Sequence, residues 1–279
     1  MRRARRADIL RRAVPGAPTP QGRWRRMRRS CCACLVLLSL PALPAPVRIG
    51  DFAATQGVIP APWRVEQPDT RVPATRYRAR LWDGVHAVEA HAVEAHAVAS
   101  MALLARPVAI DLAATPILCW RWRIDAPLQS ADMTRKAGDD YAARVYLSFE
   151  VAPEQLGVTT RMALGLARGI YGAQLPDAAI NYIWDNRHAI GTWQANTYTD
   201  RARMLVLRSG SAFAGRWVDE RRDVGADFLA AFGHPPLKPT GVAIAADTDQ
   251  TGEEARAGFA DLRFVARADD CPPPEAVRD

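Results

Sequence analysis

The sequence predicts an all-β protein, an antiparallel jelly-roll-like β-sandwich with one short helix. Short apolar runs alternate with turn residues from about residue 49 onward. Within these runs, apolar and polar side chains alternate with a period of two, which is typical of strands with one buried face. No long segment has the 3.6-residue period of a helix. A parallel sheet covered by helices is therefore not expected.

The predicted strands follow one another at nearly regular spacing. The clearest strand places Leu118, Trp120 and Trp122 on one face, with Cys119 and Arg121 on the other. Further strands are expected at 145–149, 162–167, 180–184, 203–208 and 241–246, and a last strand at 258–265 closes the domain. A helix is expected at 226–232, ended by the glycine at 233 and the prolines at 235 and 236. This pattern predicts a single domain over 46–267, followed by a mobile tail at 268–279.

The first 45 residues have the three parts of a secretory signal peptide. Eleven arginines precede residue 30, and an apolar run at 35–40 leads into small residues and prolines. The apolar run is far shorter than the ~20 residues that span a bilayer. Met27 is an alternative start, because 27–45 alone have normal signal proportions. We therefore expect a periplasmic or secreted protein whose mature chain has no transmembrane helix.

The charge of the mature chain argues against a nucleic-acid partner. The formal net charge of the whole chain is +7, and residues 1–45 contribute +10. The rest carries 26 basic and 29 acidic side chains. A protein that binds a polyanion needs a basic surface that displaces counterions. We therefore expect a protein that does not bind nucleic acid, and we expect a monomer.

Two cysteines follow the predicted leader, Cys119 and Cys271. An exported protein can oxidise such a pair, but Cys271 lies in the proline-rich tail. Whether the two form a disulfide stays open at this point.

A five-residue repeat, HAVEA, runs through 86–98 and contains three histidines. A period of five reverses the face in a strand and rotates by about 140° per copy on a helix. His86, His91 and His96 therefore do not converge, and their spacing differs from the zinc motif HExxH. We interpret the repeat as a local duplication in a β-hairpin rather than as a metal site. Deletion of 87–96 is expected to leave the fold intact.

Several motifs together resemble a bacterial family of exported proteins known as domain-of-unknown-function family 3047. They are WRWRI (120–124), DDYAARVY (139–146), NYIW (181–184), RSG (208–210), RDV (222–224), DF (227–228), FG (232–233) and DTDQT (247–251). The similarity covers roughly 49–265, and the motifs are specific as a set. The resemblance implies the fold and the export but no activity, and the repeat is an insertion relative to the family pattern.

The segment DTDQTG at 247–252 resembles the first half of a calcium loop. Asp247, Asp249 and Thr251 occupy ligand positions 1, 3 and 5, and a glycine occupies position 6. The glutamate of position 12 is replaced by Gly258. The alternative is an Asx turn, in which the aspartates bond their own backbone. Both interpretations, a structural calcium ion and a turn, remain open.

Two more aspartates, Asp139 and Asp140, precede the strand that carries Arg144 and Tyr146. Loops at one end of a sandwich can converge, so these two can join Asp247 and Asp249 in an acidic cluster. Paired carboxylates are what glycoside cleavage requires. A carboxylate paired with Arg144 is the structural alternative.

Aromatic residues are candidates for ligand contact. Tyr182 and Trp184 share one face of a predicted strand, and Trp193 follows. An exposed face would offer stacking platforms for sugar rings, and the alternative is packing in the core. Together with Arg144 and Tyr146, these three are the predicted ligand-binding residues.

The sequence thus favours a non-catalytic exported protein that binds a carbohydrate or another ligand of the cell envelope. The alternatives are a glycan-active hydrolase or lyase that uses the aspartates, and a structural component of an envelope complex. Carboxylates that face each other across an open groove favour the enzyme, and carboxylates buried against Arg144 favour the binding protein. A large exposed apolar patch favours the complex.

Overall fold

The computed structural model describes residues 44–50, 52, 57–82, 90–171 and 175–271. Within these ranges, thirteen strands and two α-helices form a sandwich of two sheets. The predicted all-β sandwich is therefore confirmed. The strands are β1 (Val47–Gly50), β2 (Arg64–Glu66), β3 (Arg76–Trp82), β4 (Ala90–Val98), β5 (Leu103–Pro107), β6 (Ile117–Ile124), β7 (Tyr141–Glu150), β8 (Ala178–Asp185), β9 (Trp193–Ala195), β10 (Ala202–Ser209), β11 (Val218–Asp223), β12 (Lys238–Asp247) and β13 (Glu254–Val265), and the helices are α1 (Val158–Tyr171) and α2 (Val224–Phe232).

The two sheets are almost entirely antiparallel. The first sheet has the order β11-β6-β13-β4-β3, and β1 also pairs with β13. The second sheet has the order β2-β5-β12-β7-β8-β10-β9. The pair β8 and β10 runs parallel, which is the exception among the described pairings. Each sheet interleaves strands that are distant in sequence, as a jelly-roll-like sandwich requires.

Aromatic side chains from the inner faces of both sheets form the core between them. On β6, Trp120 and Trp122 point inward, as the alternation predicts, and each is at most 1% exposed. Trp120 stacks on Tyr182 of β8 with 5.3 Å between ring centroids, and Trp122 contacts Trp184 of β8 at 5.7 Å. Large aromatic contacts of this kind stabilise a two-sheet core.

The helices confirm one prediction and overturn another. α2 confirms the predicted helix: the carboxylate of Asp223 accepts from the N–H of Ala226, and Gly233 ends the helix with φ of 78°. The segment 162–167, predicted as a strand, lies instead within α1. Its apolar residues alternate, but the segment is rich in Met, Ala and Leu, which favour helices. Neither helix is long and apolar enough to cross a bilayer.

The repeat supplies strand β4 of the first sheet. β4 pairs antiparallel with β3, so that Trp82 lies opposite Ala90, and with β13 on its other side. His96 lies 2.7 Å from Glu254 and 3.0 Å from Arg76 through its two ring nitrogens. His86 and the side chain of His91 lie outside the described residues. Because 90–96 form an interior strand, the structure argues against the expectation that deletion of 87–96 is harmless.

A disulfide joins Cys119 to Cys271, the pairing that the sequence left open. Cys119 lies on the outer face of β6, opposite in direction to Trp120. The bond therefore ties the beginning of the predicted tail to the first sheet. The predicted signal peptide, apart from residues 44 and 45, and the end of the tail lie outside the described residues.

Candidate functional site

The outer face of the second sheet carries the polar residues of the candidate site. On β7, Arg144, Tyr146 and Ser148 point away from the core, because Val145 and Leu147 between them are buried in it. The residues paired with them on β12 are small: Ala245, Ala243 and Gly241. The small side chains leave an open groove along this face, which is called the β7–β12 groove below.

The β7–β12 groove has a cavity volume of about 490 Å³, within the range of small-molecule sites. Tyr146 is half-buried in it, and burial raises the pKa of its hydroxyl to about 12. Gly241 keeps the floor open, since a Cβ at this position would lie 2.8 Å from the Ser148 hydroxyl oxygen. The lining also includes Ala105, Glu66, Arg168 and Asp177.

Three of the four predicted acidic residues meet beside the groove. Asp140 precedes β7, Asp247 ends β12, and Asp249 follows in the loop to β13. One carboxylate oxygen from each lies within 4.8 Å of the others. Asp139 does not belong to this group. Its carboxylate accepts hydrogen bonds from the Tyr141 hydroxyl and the Asn196 amide, both at 2.9 Å.

Asp247 is buried against Arg144. The side chain of Asp247 is 2% exposed, and its Oδ2 lies 3.2 Å from an Nη of Arg144. Burial raises the pKa of Asp247 well above its usual range, and the charges of Asp140 and Asp139 add to this rise. Arg144 opposes the rise. This buried pairing is the arrangement that was expected of a binding protein.

The loop after β12 is fastened by Asp140. The carboxylate of Asp140 accepts from the N–H of Gln250 at 3.1 Å and from the N–H of Thr251 at 2.6 Å. The hydroxyl of Thr251, a predicted metal ligand, accepts from the N–H of Glu253 at 3.4 Å. The backbone N–H of Thr251 thus donates to Asp140. Asp140 is the third carboxylate of the acidic group that contains Asp247 and Asp249.

Two of the predicted aromatic platforms are core residues. Tyr182 is 0% exposed and Trp184 is 2% exposed, so neither can stack on a ligand. Tyr182 donates to Asp227 at 2.8 Å, and Trp184 donates to the carbonyl of Gly210 at 3.1 Å. Trp193, on the edge strand β9, is half-buried and packs against the same core. The ligand-binding prediction for Tyr182 and Trp184 is therefore wrong, because β8 is an interior strand whose inward face meets the other sheet.

One polar residue on the outer face of β8 was not singled out from the sequence. Asn181 pairs with Tyr146 across β7 and β8, and it is 2% exposed. Its amide oxygen has no hydrogen-bond partner among the described residues. The sequence could have indicated this position, because Asn181 precedes Tyr182 in the same strand and the two side chains must point to opposite faces of the sheet.

Helix α1 has exposed apolar residues, the feature expected of a structural component of an envelope complex. Val158, Met162 and Leu166, at helical spacing of four, are 62%, 71% and 70% exposed. Residues at this spacing lie on one face of a helix.

The fold and the site define a class, a two-sheet β-sandwich protein with an open groove on the outer face of one sheet. The chain belongs to the family described as Protein of unknown function (DUF3047), whose profile matches residues 61–263. This confirms the resemblance carried by the sequence motifs. A comparison with curated proteins finds no match.

Three solved structures show similarity to the chain. The family 11 carbohydrate-binding module of the cellulosomal cellulase Lic26A-Cel5E of Clostridium thermocellum has 6% identity and a TM-score of 0.36, over 82% of this chain and 98% of the module. An exo-beta-agarase has 9% identity and a TM-score of 0.33, over 83% and 25%. The xyloglucanase domain of NopAA, a type three effector from Sinorhizobium fredii, has 8% identity and a TM-score of 0.34, over 75% and 100%. What this chain binds has to follow from its own residues.

Proposed function

We propose that the protein is an exported β-sandwich that binds a carbohydrate, or another polyhydroxylated ligand of the cell envelope, in the β7–β12 groove without converting it. The observation that carries this proposal is the groove itself. Its floor is made of small residues, and the ring of Tyr146 and the hydroxyl of Ser148 line it. A sugar presents apolar C–H faces to an aromatic ring and hydroxyls to polar groups, so this lining suits it.

The charges along the groove favour a neutral ligand over a polyanion. Arg168 lies 2.8 Å from Asp177, and Arg64 lies 2.8 Å from Glu66. Arg106 and Glu150 also line the groove, so its lining has three arginines and three carboxylates. Charges paired in this way supply hydrogen-bond donors and acceptors with little net field. A polyanion instead requires a cluster of uncompensated cations.

The carboxylates support binding rather than glycoside cleavage. Cleavage uses two carboxyl groups about 5–9.5 Å apart on either side of the scissile bond. Here Asp140, Asp247 and Asp249 converge on one point, and Asp247 is buried against Arg144. These three aspartates therefore do not form an opposed pair across the open groove.

Two features support export. The first is the predicted signal peptide over 1–45. The second is the disulfide between Cys119 and Cys271, because structural disulfides persist in oxidising compartments such as the periplasm. The proposal therefore places the binding site outside the cytoplasm.

A glycan array tests the proposed function, followed by titration calorimetry on the best ligand. Tyr146→Ala removes the ring in the groove, and Ala105→Trp fills the groove. We expect each to weaken binding at least about tenfold. The matched control is Tyr198→Ala, which removes a tyrosine that is 58% exposed and does not line the groove.

The proposal is contradicted if the array gives no ligand, or if both groove variants bind as tightly as the wild type. Mass spectrometry of the incubated ligand separates binding from catalysis. Cleavage products that disappear in Asp247→Asn would favour the hydrolase or lyase instead.

A further inference from the structure

The acidic residues beside the groove have the spacing of ligands to one ion. Asp140, Asp247 and Asp249 each offer an oxygen within 4.8 Å of the other two. Oxygen ligands lie about 2.3–2.6 Å from Ca²⁺, so two oxygens on one ion are at most about 5 Å apart. The three carboxylates therefore fit around a single ion.

Unpartnered oxygens provide a second and independent observation. Asp247 is 2% exposed, and its Oδ2 contacts Arg144. Its other oxygen, Oδ1, is buried and has no hydrogen-bond partner within the described part of the chain, and the same holds for Oδ1 of Asp249. A buried carboxylate oxygen without a donor is costly, because it has lost its water and gained nothing. A bound cation supplies the missing partner.

The charge balance points the same way. Three carboxylates converge, and Arg144 is the cation that contacts Asp247. Asp139, next to Asp140, adds a further negative charge nearby and is held by neutral donors from Tyr141 and Asn196. A divalent cation would compensate the excess negative charge of this group.

We propose that Asp140, Asp247 and Asp249 form a binding site for a hard divalent cation, with Ca²⁺ preferred. The donors are all carboxylate oxygens, whereas zinc sites use histidine and cysteine. Asp249 is half-buried, which leaves room for the water molecules that complete the six to eight ligands of Ca²⁺. Mg²⁺ requires a more regular octahedron and fits three clustered carboxylates less well.

The site differs from the calcium loop that the sequence resembles. In such a loop, consecutive odd positions supply the ligands. Here the third carboxylate comes from the start of β7, and it also holds the N–H groups of Gln250 and Thr251. The ion would therefore fasten the β12–β13 loop to the start of β7, and this role does not depend on what the groove binds.

Calcium binding by the chelator-treated protein tests the proposal, without any sugar present. We expect one Ca²⁺ per chain with a Kd below about 1 mM by calorimetry, and a rise of several degrees in Tm with 2 mM CaCl₂. MgCl₂ at the same concentration is expected to give a smaller rise. Asp249→Asn, at the half-buried position, should weaken calcium binding at least about tenfold. Asp140→Asn provides a second variant.

Asp132→Asn is the matched control, because Asp132 is a loop aspartate outside the cluster. It is expected to keep the calcium affinity of the wild type. Absence of any heat or Tm change with Ca²⁺ in the wild type would overturn the proposal. An unchanged calcium response in Asp249→Asn would overturn it too, even if Asp140→Asn failed to fold. A larger response to Mg²⁺ than to Ca²⁺ would overturn the preference for calcium.

Discussion

Single residues of the turn before β7 control part of the acid stability. The pKa of Asp132 is lowered to about 2, chiefly because its carboxylate accepts hydrogen bonds from the hydroxyl and the N–H of Thr134. In the unfolded chain, an aspartate has a pKa of about 3.9. Folding therefore gains stability from this group above about pH 4, and the gain is lost as the pH falls from 4 to 2.

Asp132→Asn tests this linkage. At pH 6 we expect a loss of at most about 1 kcal/mol in the free energy of unfolding, because the ion-pair partner Arg135 is largely exposed and solvent screens its charge. At pH 2 the difference from the wild type should nearly vanish. Urea unfolding at both pH values measures it. A difference that grows on acidification would have the wrong sign for this account.

The burial of Tyr182 separates a core role from a ligand role. Its hydroxyl donates to Asp227, which is also paired with Arg222, and its ring stacks on Trp120. Tyr182→Phe keeps the ring and removes the hydrogen bond. We expect it to cost about 1–2 kcal/mol of stability and to leave ligand affinity unchanged. A weakened affinity at unchanged stability would return Tyr182 to the binding site.

Residue patterns predicted one aromatic strand fully and misjudged another. The alternation on β6 correctly placed Trp120 and Trp122 inside and Cys119 outside. The same alternation on β8 placed Tyr182 and Trp184 on one face but did not say which face was inner. Both faces of β8 are buried, since all its residues are covered. The two-residue alternation alone therefore could not show whether either face of β8 is exposed.

At the scale of elements, the hairpin of β3 and β4 gives a test of the repeat. Trp82 and Ala90 are opposite each other, so 83–89 connect the strands. Deletion of 86–90 keeps 91–98 for β4 and joins Val85 to His91, so that valine takes the position of Ala90 opposite Trp82. The connection then contains only Asp83 and Gly84. Asp-Gly is a favoured two-residue turn between antiparallel strands.

We therefore expect deletion of 86–90 to change Tm by less than about 4 °C, which corresponds to about 1 kcal/mol in a domain of this size. Deletion of 87–96 removes two units and leaves too few residues for β4, so it should lower Tm far more or prevent folding. Thermal unfolding of both variants decides. Equal losses from the two deletions would show that the copies are not interchangeable.

Elements with mixed signals were the ones that the sequence mispredicted. The segment 162–167 alternates like a strand but has the composition of a helix, and composition prevailed in α1.

The acidic group was expected as a cluster of four, and three of its members meet. The carboxylate of Asp139 instead accepts hydrogen bonds from Tyr141 and Asn196. Tertiary partners of this kind cannot be predicted from the local sequence.

At the scale of the whole molecule, the disulfide closes a long loop. Cys119 and Cys271 are separated by 152 residues, so the bond restricts much of the unfolded chain. Replacing both cysteines by serine is expected to lower the free energy of unfolding by about 2–4 kcal/mol. Denaturant unfolding with and without a reductant measures this loss. Equal stability of the reduced, oxidised and doubly substituted proteins would contradict it.

The central claim is that the β7–β12 groove binds the ligand, and mapping the bound state by NMR tests it most directly. Backbone amide shifts of the labelled protein are followed while the array-selected glycan is added. The account predicts that the largest changes cluster on β5, β7 and β12 around Tyr146, and that Tyr146→Ala removes them. Changes centred on the exposed face of α1 or on the first sheet, and unaffected by Tyr146→Ala, would contradict it.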